Sequence, residues 1–280
     1  MQSNRNHAEV VAENYYDSSD ADNFYEKVWG GEDIHIGLYE PGDSIVSASR
    51  KTVQAMFSHL DNIKSDSKII DLGAGYGGSA RYLAEQTGCS VSCLNLSEIQ
   101  NERNRKLTIE QGLQDKVTVL HGSCEDIPCE DNSQDIVWSQ DAFLHSGKKH
   151  KVISEVARVL KPGGEVIFTD PMQADDCPVG VLQPVYDRLS LDSLSSIGFY
   201  RSEFGAMGFQ EKRVLEMTHQ LRNHYAAVKQ ELQDRYVSLT KVINSAYMDK
   251  MISGLESWIT AADCGYLSWG ILHFQKNIEG

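Results

Sequence analysis

Proline is scarce in this chain, 6 of 280 residues, and basic residues are few: 26 Lys and Arg stand against 40 Asp and Glu, a formal net charge of -14. With 41% hydrophobic and 24% charged residues, the composition excludes disordered, collagen-like and low-complexity classes. The acidic excess repels phosphate backbones and anionic headgroups, so neither nucleic acid nor a membrane is expected as a partner. No apolar run approaches the roughly 18–20 residues of a membrane span. The six cysteines (Cys89, Cys93, Cys124, Cys129, Cys177, Cys264) form no CxxC pair, which points to reduced structural thiols and to no metal. The N-terminal stretch MQSNRNHAEVVAENYYDSSDAD has neither the apolar core of a signal peptide nor the Arg-rich character of a transit peptide, so a cytoplasmic location is expected. Internal repeats and Ser-rich linkers are also missing.

What is present is a change of pattern near residue 67. Before it, residues 5–28 read as a helix with an aromatic stripe (Tyr15, Tyr16, Phe24, Tyr25, Trp29) ending at Gly30-Gly31, and residues 44–61 as a second helix opened by Asp43 or Ser44. After it, short apolar runs at 68–72, 90–96, 116–122, 134–140 and 165–170 read as strands, alternating with helices near 77–87, 97–112 and 148–160. Such alternation implies right-handed crossovers and a parallel sheet covered on both faces, a doubly wound α/β fold. Past residue 171 the alternation breaks: 172–206 reads as mostly helical, 209–217 as a strand, 218–262 as a long helical stretch and 265–274 as a last strand. The length favours one domain over 1–280, with N-terminal helices to residue 62, a core over 63–171 and a helical, strand-closed remainder.

The segment IIDLGAGYGGSARYLAE (69–85) carries the first chemical signal: a strand ending in Asp71, a turn with Gly73, Gly75, Gly77 and Gly78, then a helix. Glycines there let the backbone turn sharply and approach a ligand at the helix N-terminus. Gly73, Gly75 and Gly78 satisfy GxGxxG, which alone is a weak dinucleotide signal. Asp71, two residues before the first glycine, suits a ligand bearing a cationic amine better than a pyrophosphate. The second strand ends in Leu94-Asn95-Leu96, without the acid that a dinucleotide enzyme uses for the ribose.

DLGAGYGG (71–78), GSCEDIPCEDNSQDIVWSQDAFLH (122–145) and RVLKPGGEVIFTD (158–170), in this order and spacing, resemble the class I methyltransferases that use S-adenosylmethionine. The resemblance implies a Rossmann-like seven-stranded sheet closed by an antiparallel pair, with Asp71, Gly73 and Gly75 around the methionyl part of the cofactor and Gln140 among the residues that bind it. It also implies that Asn95, Leu96 and Gln100 lie at the ribose and Ser123, Cys124 and Glu125 at the adenine. Asn95 departs from the acid usual there, and Ser123 from an aspartate; an amide can still bond a diol.

FYEKVWGGEDIHIGLYEPG (24–42) resembles the lid of family members acting on small amines and lipids, which places Ile34 and His35 on the cofactor and Tyr16 or Tyr15 over it. WSQDAFLHS (138–146) is similar to the phosphoethanolamine branch, whose reacting centre would fall here on Tyr16, Asp141 and His145; at i, i+4 the last two share one face if the turn is helical. TDPMQADD (169–176), YDRLSLDSLSS (186–196) and SWGILHF (268–274) bring the whole chain nearest to the sarcosine/dimethylglycine N-methyltransferases, enzymes that form glycine betaine, an osmoprotectant. That resemblance implies a small-molecule amine substrate, phosphoethanolamine or another small amine being the alternative acceptor and a non-catalytic cofactor-binding module a different class of reading. Aromatic faces bind methylated ammonium groups; Tyr25, Trp29, Trp138, Phe143, Tyr200 and Trp269 are the candidates. A carboxylate suits a forked guanidinium, Arg188 or alternatively Arg201. A monomer or homodimer is expected.

Overall fold

In the structure, a computed structural model, residues 7–61, 63–189 and 191–278 are described. Seven strands form the central sheet, in the order β3-β2-β1-β4-β5-β9-β7: β1 (Lys68–Leu72), β2 (Ser90–Asn95), β3 (Val117–His121), β4 (Gln134–Gln140), β5 (Leu160–Thr169), β7 (Phe209–Glu216) and β9 (Gly270–Lys276). The first five run parallel, and β9 lies antiparallel to both β5 and β7. This is the doubly wound α/β sheet that the alternation of the sequence implies, closed by the antiparallel pair that the resemblance implies.

Strand periodicity sends alternate side chains to opposite faces. Ile70, Leu72, Val137, Val166 and Phe168 join one apolar core with helices α6 (Lys149–Val159) and α8 (Ile197–Ala206). Ile69, Ile136, Trp138 and Ile167 join another with α3 (Ile45–Phe57) and α4 (Gly78–Thr87). Helix α5 (Glu98–Glu110), capped by Ser97, connects β2 to β3.

A third core lies over the carboxyl ends of the strands. It joins the N-terminal segment to α7 (Gln183–Leu189), α9 (Thr218–Asp234) and α11 (Ser245–Asp263) through Phe24, Trp29, Leu221, Tyr225, Leu255 and Trp258. Here the structure departs from the sequence reading. The expected helix over 5–28 is α1 (His7–Tyr16) and α2 (Ser19–Phe24), followed by a π-helical turn over Tyr25–Trp29; residues 5 and 6 lie outside the described residues. Ser18 breaks it by taking extended backbone and accepting from Ala21 N, the side-chain cap that starts a new helix. The expected stretch over 218–262 is α9, the short α10 (Tyr236–Leu239) and α11, restarted by the Asn244 cap. Within 172–206 only α7 and α8 are helical, and Met172–Gln173 form β6. β5 begins five residues before the expected 165, because Leu160 already pairs with Gln134 ahead of a bulge. The last strand divides at Trp269 into β8 (Leu267–Ser268), paired with β6, and β9.

No helix among the described residues is long and apolar enough to cross a membrane.

Candidate active site

The carboxyl ends of β1 to β4 border a cleft with about 750 Å³ of space between its walls, solvent included. In open α/β sheets ligands bind at this edge. Gly73 and Gly75 have φ of 74° and 53°, a region open to glycine and strained for L side chains. A Cβ on Gly73 would come within 2.3 Å of Ala142 Cβ, and one on Gly75 within 2.9 Å of Ile34 Cδ1, so the bare turn keeps this end of the cleft open. From there the wall runs past Leu94, Asn95, Leu96 and Gln100 to Ser123, Cys124 and Glu125. Asn95 Nδ2 donates to Gln100 Oε1 (3.0 Å), so the two amides hold one another at the end of β2.

Gln140, at the tip of β4, accepts on Oε1 from Ser79 Oγ (2.5 Å) and Trp138 Nε1 (3.0 Å). Its Nε2 is buried without a partner among the described residues, on the cleft wall. An orphaned buried donor is costly until an acceptor arrives, and a carboxylate is the acceptor that suits it best. Asp71 is not on the wall: it lies buried beneath, and burial, the main cause, pushes its carboxyl up to about 7.

A smaller chamber of about 360 Å³ adjoins the cleft, and Tyr16, Ile34, Asp141 and His145 border both. Tyr16 Oη lies 2.9 Å from His145 Nε2. Burial first, then the nearby Lys149 and Arg188 charges, pulls the His145 pKa down to about 4, whereas burial raises that of the Tyr16 phenol. The pair is therefore a neutral imidazole hydrogen-bonded to a neutral phenol.

Asp141 and His145 do not act from one helical face as their spacing suggests. Only Phe143–His145 are helical, in a 3-10 turn, and Asp141 stands before it at φ 51°. Its carboxylate points to the lid segment instead: Oδ2 accepts from Ile36 N (2.7 Å), and Oδ1 from Thr169 Oγ1 and Trp269 Nε1 (both 2.8 Å). His35, beside it, has a buried Nε2 with no hydrogen-bond partner among the described residues, Asp33 Oδ1 standing 3.9 Å away, and borders the chamber.

The rest of the chamber is aromatic and cationic. Tyr25, Trp29 and Tyr225 line it, with Arg188. The Arg188 guanidinium carbon stands 5.1 Å from the Tyr225 ring centre and 6.0 Å from that of Trp258. Nε and Nη1 are buried without a hydrogen-bond partner, and no carboxylate pairs with this cation among the described residues. Arg201, the alternative cation, is half exposed and paired with Glu211 (2.7 Å), away from the site. Of the six aromatic candidates only Tyr25 and Trp29 line the chamber. Trp138, Phe143 and Tyr200 pack in the two sheet cores, the last donating to Asp170 (2.7 Å), and Trp269 holds Asp141. Tyr225 escapes sequence reasoning because Leu221, Tyr225, Val228 and Leu232 read as an ordinary core stripe. Among the described residues no cluster of three or more His, Cys, Asp or Glu is placed to share a metal ion.

Comparison with known proteins bears on this geometry. Residues 70–168 match the methyltransferase domain family. The chain is 52% identical to the sarcosine/dimethylglycine N-methyltransferase of Aphanothece halophytica, over 95% of this chain and 96% of that one. It is 45% identical to the dimethylglycine N-methyltransferase of Parasynechococcus marenigrum, over 96% of each. A crystal structure of a Galdieria sulphuraria protein described as a sarcosine dimethylglycine methyltransferase superposes with a TM-score of 0.90 at 43% identity, over 95% of this chain and all of that one.

Proposed function

Since the chain belongs to the sarcosine/dimethylglycine N-methyltransferase family, we propose that it methylates sarcosine and dimethylglycine at nitrogen, using S-adenosylmethionine, to give glycine betaine. The observation that carries this reading is Arg188: a buried guanidinium with two unpartnered N–H groups, in an aromatic chamber beside the Tyr16–His145 pair. A small zwitterion with a carboxylate at one end and an amine at the other supplies what this chamber lacks.

The cleft fits the cofactor. The bare glycine turn gives room for the methionyl chain, the orphaned Gln140 Nε2 supplies a donor to its carboxylate, and the Asn95–Gln100 amides face the ribose hydroxyls. Ile34 from the lid, Leu96 from beyond β2 and Ser123, Cys124 and Glu125 from beyond β3 would enclose it, while His35 borders the adjoining chamber. Bound S-adenosylmethionine supplies the sulfonium methyl, which the substrate nitrogen takes by in-line displacement as the carbon–sulfur bond breaks.

The protein's own part is orientation, exclusion of water and removal of a proton. Arg188 holds the substrate carboxylate in a fork, while Tyr25, Trp29 and Tyr225 face the methylated nitrogen. The amine enters protonated and must lose one proton before its lone pair can attack. Tyr16 accepts it as its own hydroxyl proton passes to the neutral His145. Asp141 positions: it fixes the lid segment that carries Ile34 and His35.

The test is transfer of labelled methyl groups to glycine, sarcosine, dimethylglycine and phosphoethanolamine in parallel. Turnover on sarcosine and dimethylglycine is expected, with Arg188→Ala raising both KM values by about a hundredfold, the loss of a charge-assisted pair. Turnover on phosphoethanolamine alone, or KM values unmoved in the variant, would overturn the assignment.

A further inference from the structure

Glu9 is a buried carboxylate, 7% exposed, in a chain that keeps most of its 40 acids on the surface. A charge so placed is retained against its desolvation cost only where something bonds it. The Ser123 hydroxyl donates to Glu9, and the Ser123 oxygen in turn accepts from Glu125 N (3.0 Å). Both residues stand on the cleft wall at the end farthest along the strand order from the glycine turn. The other carboxylate there, Glu125, is engaged by Ser146 Oγ (2.8 Å).

Glu9, Ala12 and Tyr16 follow the i, i+3, i+7 spacing of one helix face, and all three line the cleft. Side-chain hydrogen bonds fasten this end of the chain over it, among them Glu9 with Ser123, Tyr16 with His145, and Ser97 Oγ donating to Asp17 Oδ1 (2.5 Å). Ser123, His145 and Ser97 belong to the wall of the same cleft. Helix α1 is thus a roof that meets the wall of one cleft at two points, Glu9 and Tyr16, separated by a rise of roughly 10 Å.

Resting on the reading of this cleft as the S-adenosylmethionine site, we propose that Glu9 binds the adenine amino group and so makes cofactor occupancy seat Tyr16 on His145. An exocyclic amine is a hydrogen-bond donor, and the lid-borne carboxylate is an acceptor at the end of the cleft beyond the ribose position. A cofactor engaging Glu9 fixes the helix that carries Tyr16, so the substrate chamber is completed only after the cofactor is in place.

Isothermal titration with S-adenosylhomocysteine and with S-inosylhomocysteine, in which an oxo group replaces the amine, tests this. The wild-type protein should prefer the amino form by tenfold or more, the factor expected for one charge-assisted hydrogen bond. Glu9→Gln, which offers a donor as well as an acceptor, should erase that preference and remove the hydrogen-exchange protection that S-adenosylhomocysteine confers on α1. Ser123→Ala, which removes the hydroxyl that donates to Glu9, should reduce the preference in the same direction. An undiminished preference in Glu9→Gln, or its loss in Glu125→Gln instead, would overturn the proposal. Equal affinity of the wild type for both compounds overturns the role of Glu9 alone, whereas binding of neither removes the cofactor reading beneath it.

Discussion

Burying a guanidinium without a carboxylate beside it costs several kcal/mol, and aromatic faces return only about 0.5–2 kcal/mol each. Arg188 is in that position, which is why a carboxylate substrate is the simplest account of it. The Tyr16–His145 pair is informative in a different way. With the imidazole held near a pKa of about 4, its protonation does not shape activity around pH 6.5. Tyr16→Phe and His145→Ala should each lower kcat/KM for sarcosine by about 10² at neutral pH. The defect should shrink as pH approaches the roughly 10 of an alkylammonium, where solvent supplies the free amine. A defect constant from pH 7 to 10 would show that the pair does not handle the proton. His145 and Asp141 are conspicuous in the sequence, but their division of labour is not: four residues of spacing cannot reveal that Asp141 adopts φ 51° and turns toward Ile36.

Among the elements, α11 acts on the chamber from behind. Gly254 lies against Arg188, and a Cβ there would come within 2.7 Å of Arg188 Cδ and 2.8 Å of Cγ. Gly254→Ala should gain up to about 1 kcal/mol in helix propensity yet push the guanidinium toward the substrate. The expected outcome is a roughly tenfold higher KM for sarcosine and dimethylglycine with unchanged affinity for S-adenosylhomocysteine, read by steady-state kinetics and titration calorimetry. An unchanged KM would mean that Arg188 can shift without losing its substrate. The lid segment is likewise held from several elements: Ile36 N by Asp141, Gly37 N by His224 Nδ1 (3.1 Å), and His35 O by Trp29 Nε1 (3.2 Å) and Ser49 Oγ (2.9 Å). Asp141 and His224 lie more than 100 residues away, so no local pattern announces how this segment is held.

For the whole molecule, buried titratable groups make stability depend on pH in two opposed ways. Burial lowers the pKa of His145 to about 4 and puts that of His224 well below its ordinary value. Between about pH 4 and 6.5 the unfolded chain therefore binds more protons at these sites, so their contribution rises with pH and is complete above 6.5. Asp71 and Asp170, pushed up to about 7 by burial, work the other way: folded they stay protonated where the unfolded carboxyls are ionised, so their contribution falls as pH rises from about 4 to 7. His145→Gln should consequently flatten the loss of stability on acidification from pH 7.5 to 5, by up to about 2 kcal/mol in urea titrations. Identical slopes in the two proteins would mean that His145 is not held neutral.

By itself the sequence determined the parallel α/β sheet, the glycine turn and the family, because strand periodicity, glycine at positive φ and motif order are local properties of the chain. It also brought Tyr16, His145 and Arg188 into view as residue types suited to amine chemistry. Tertiary structure alone decided which of the aromatic stripes became a chamber wall. Trp138, Phe143 and Tyr200 share the composition of Tyr25 and Trp29 but face the sheet cores, and Tyr225 reaches the chamber from a helix whose spacing is ordinary. Glu9 and Gly254 are equally silent in one dimension. Their meaning comes from Ser123 and Arg188, which only folding brings to them, since a contact between residues 114 apart leaves no periodic trace along the chain.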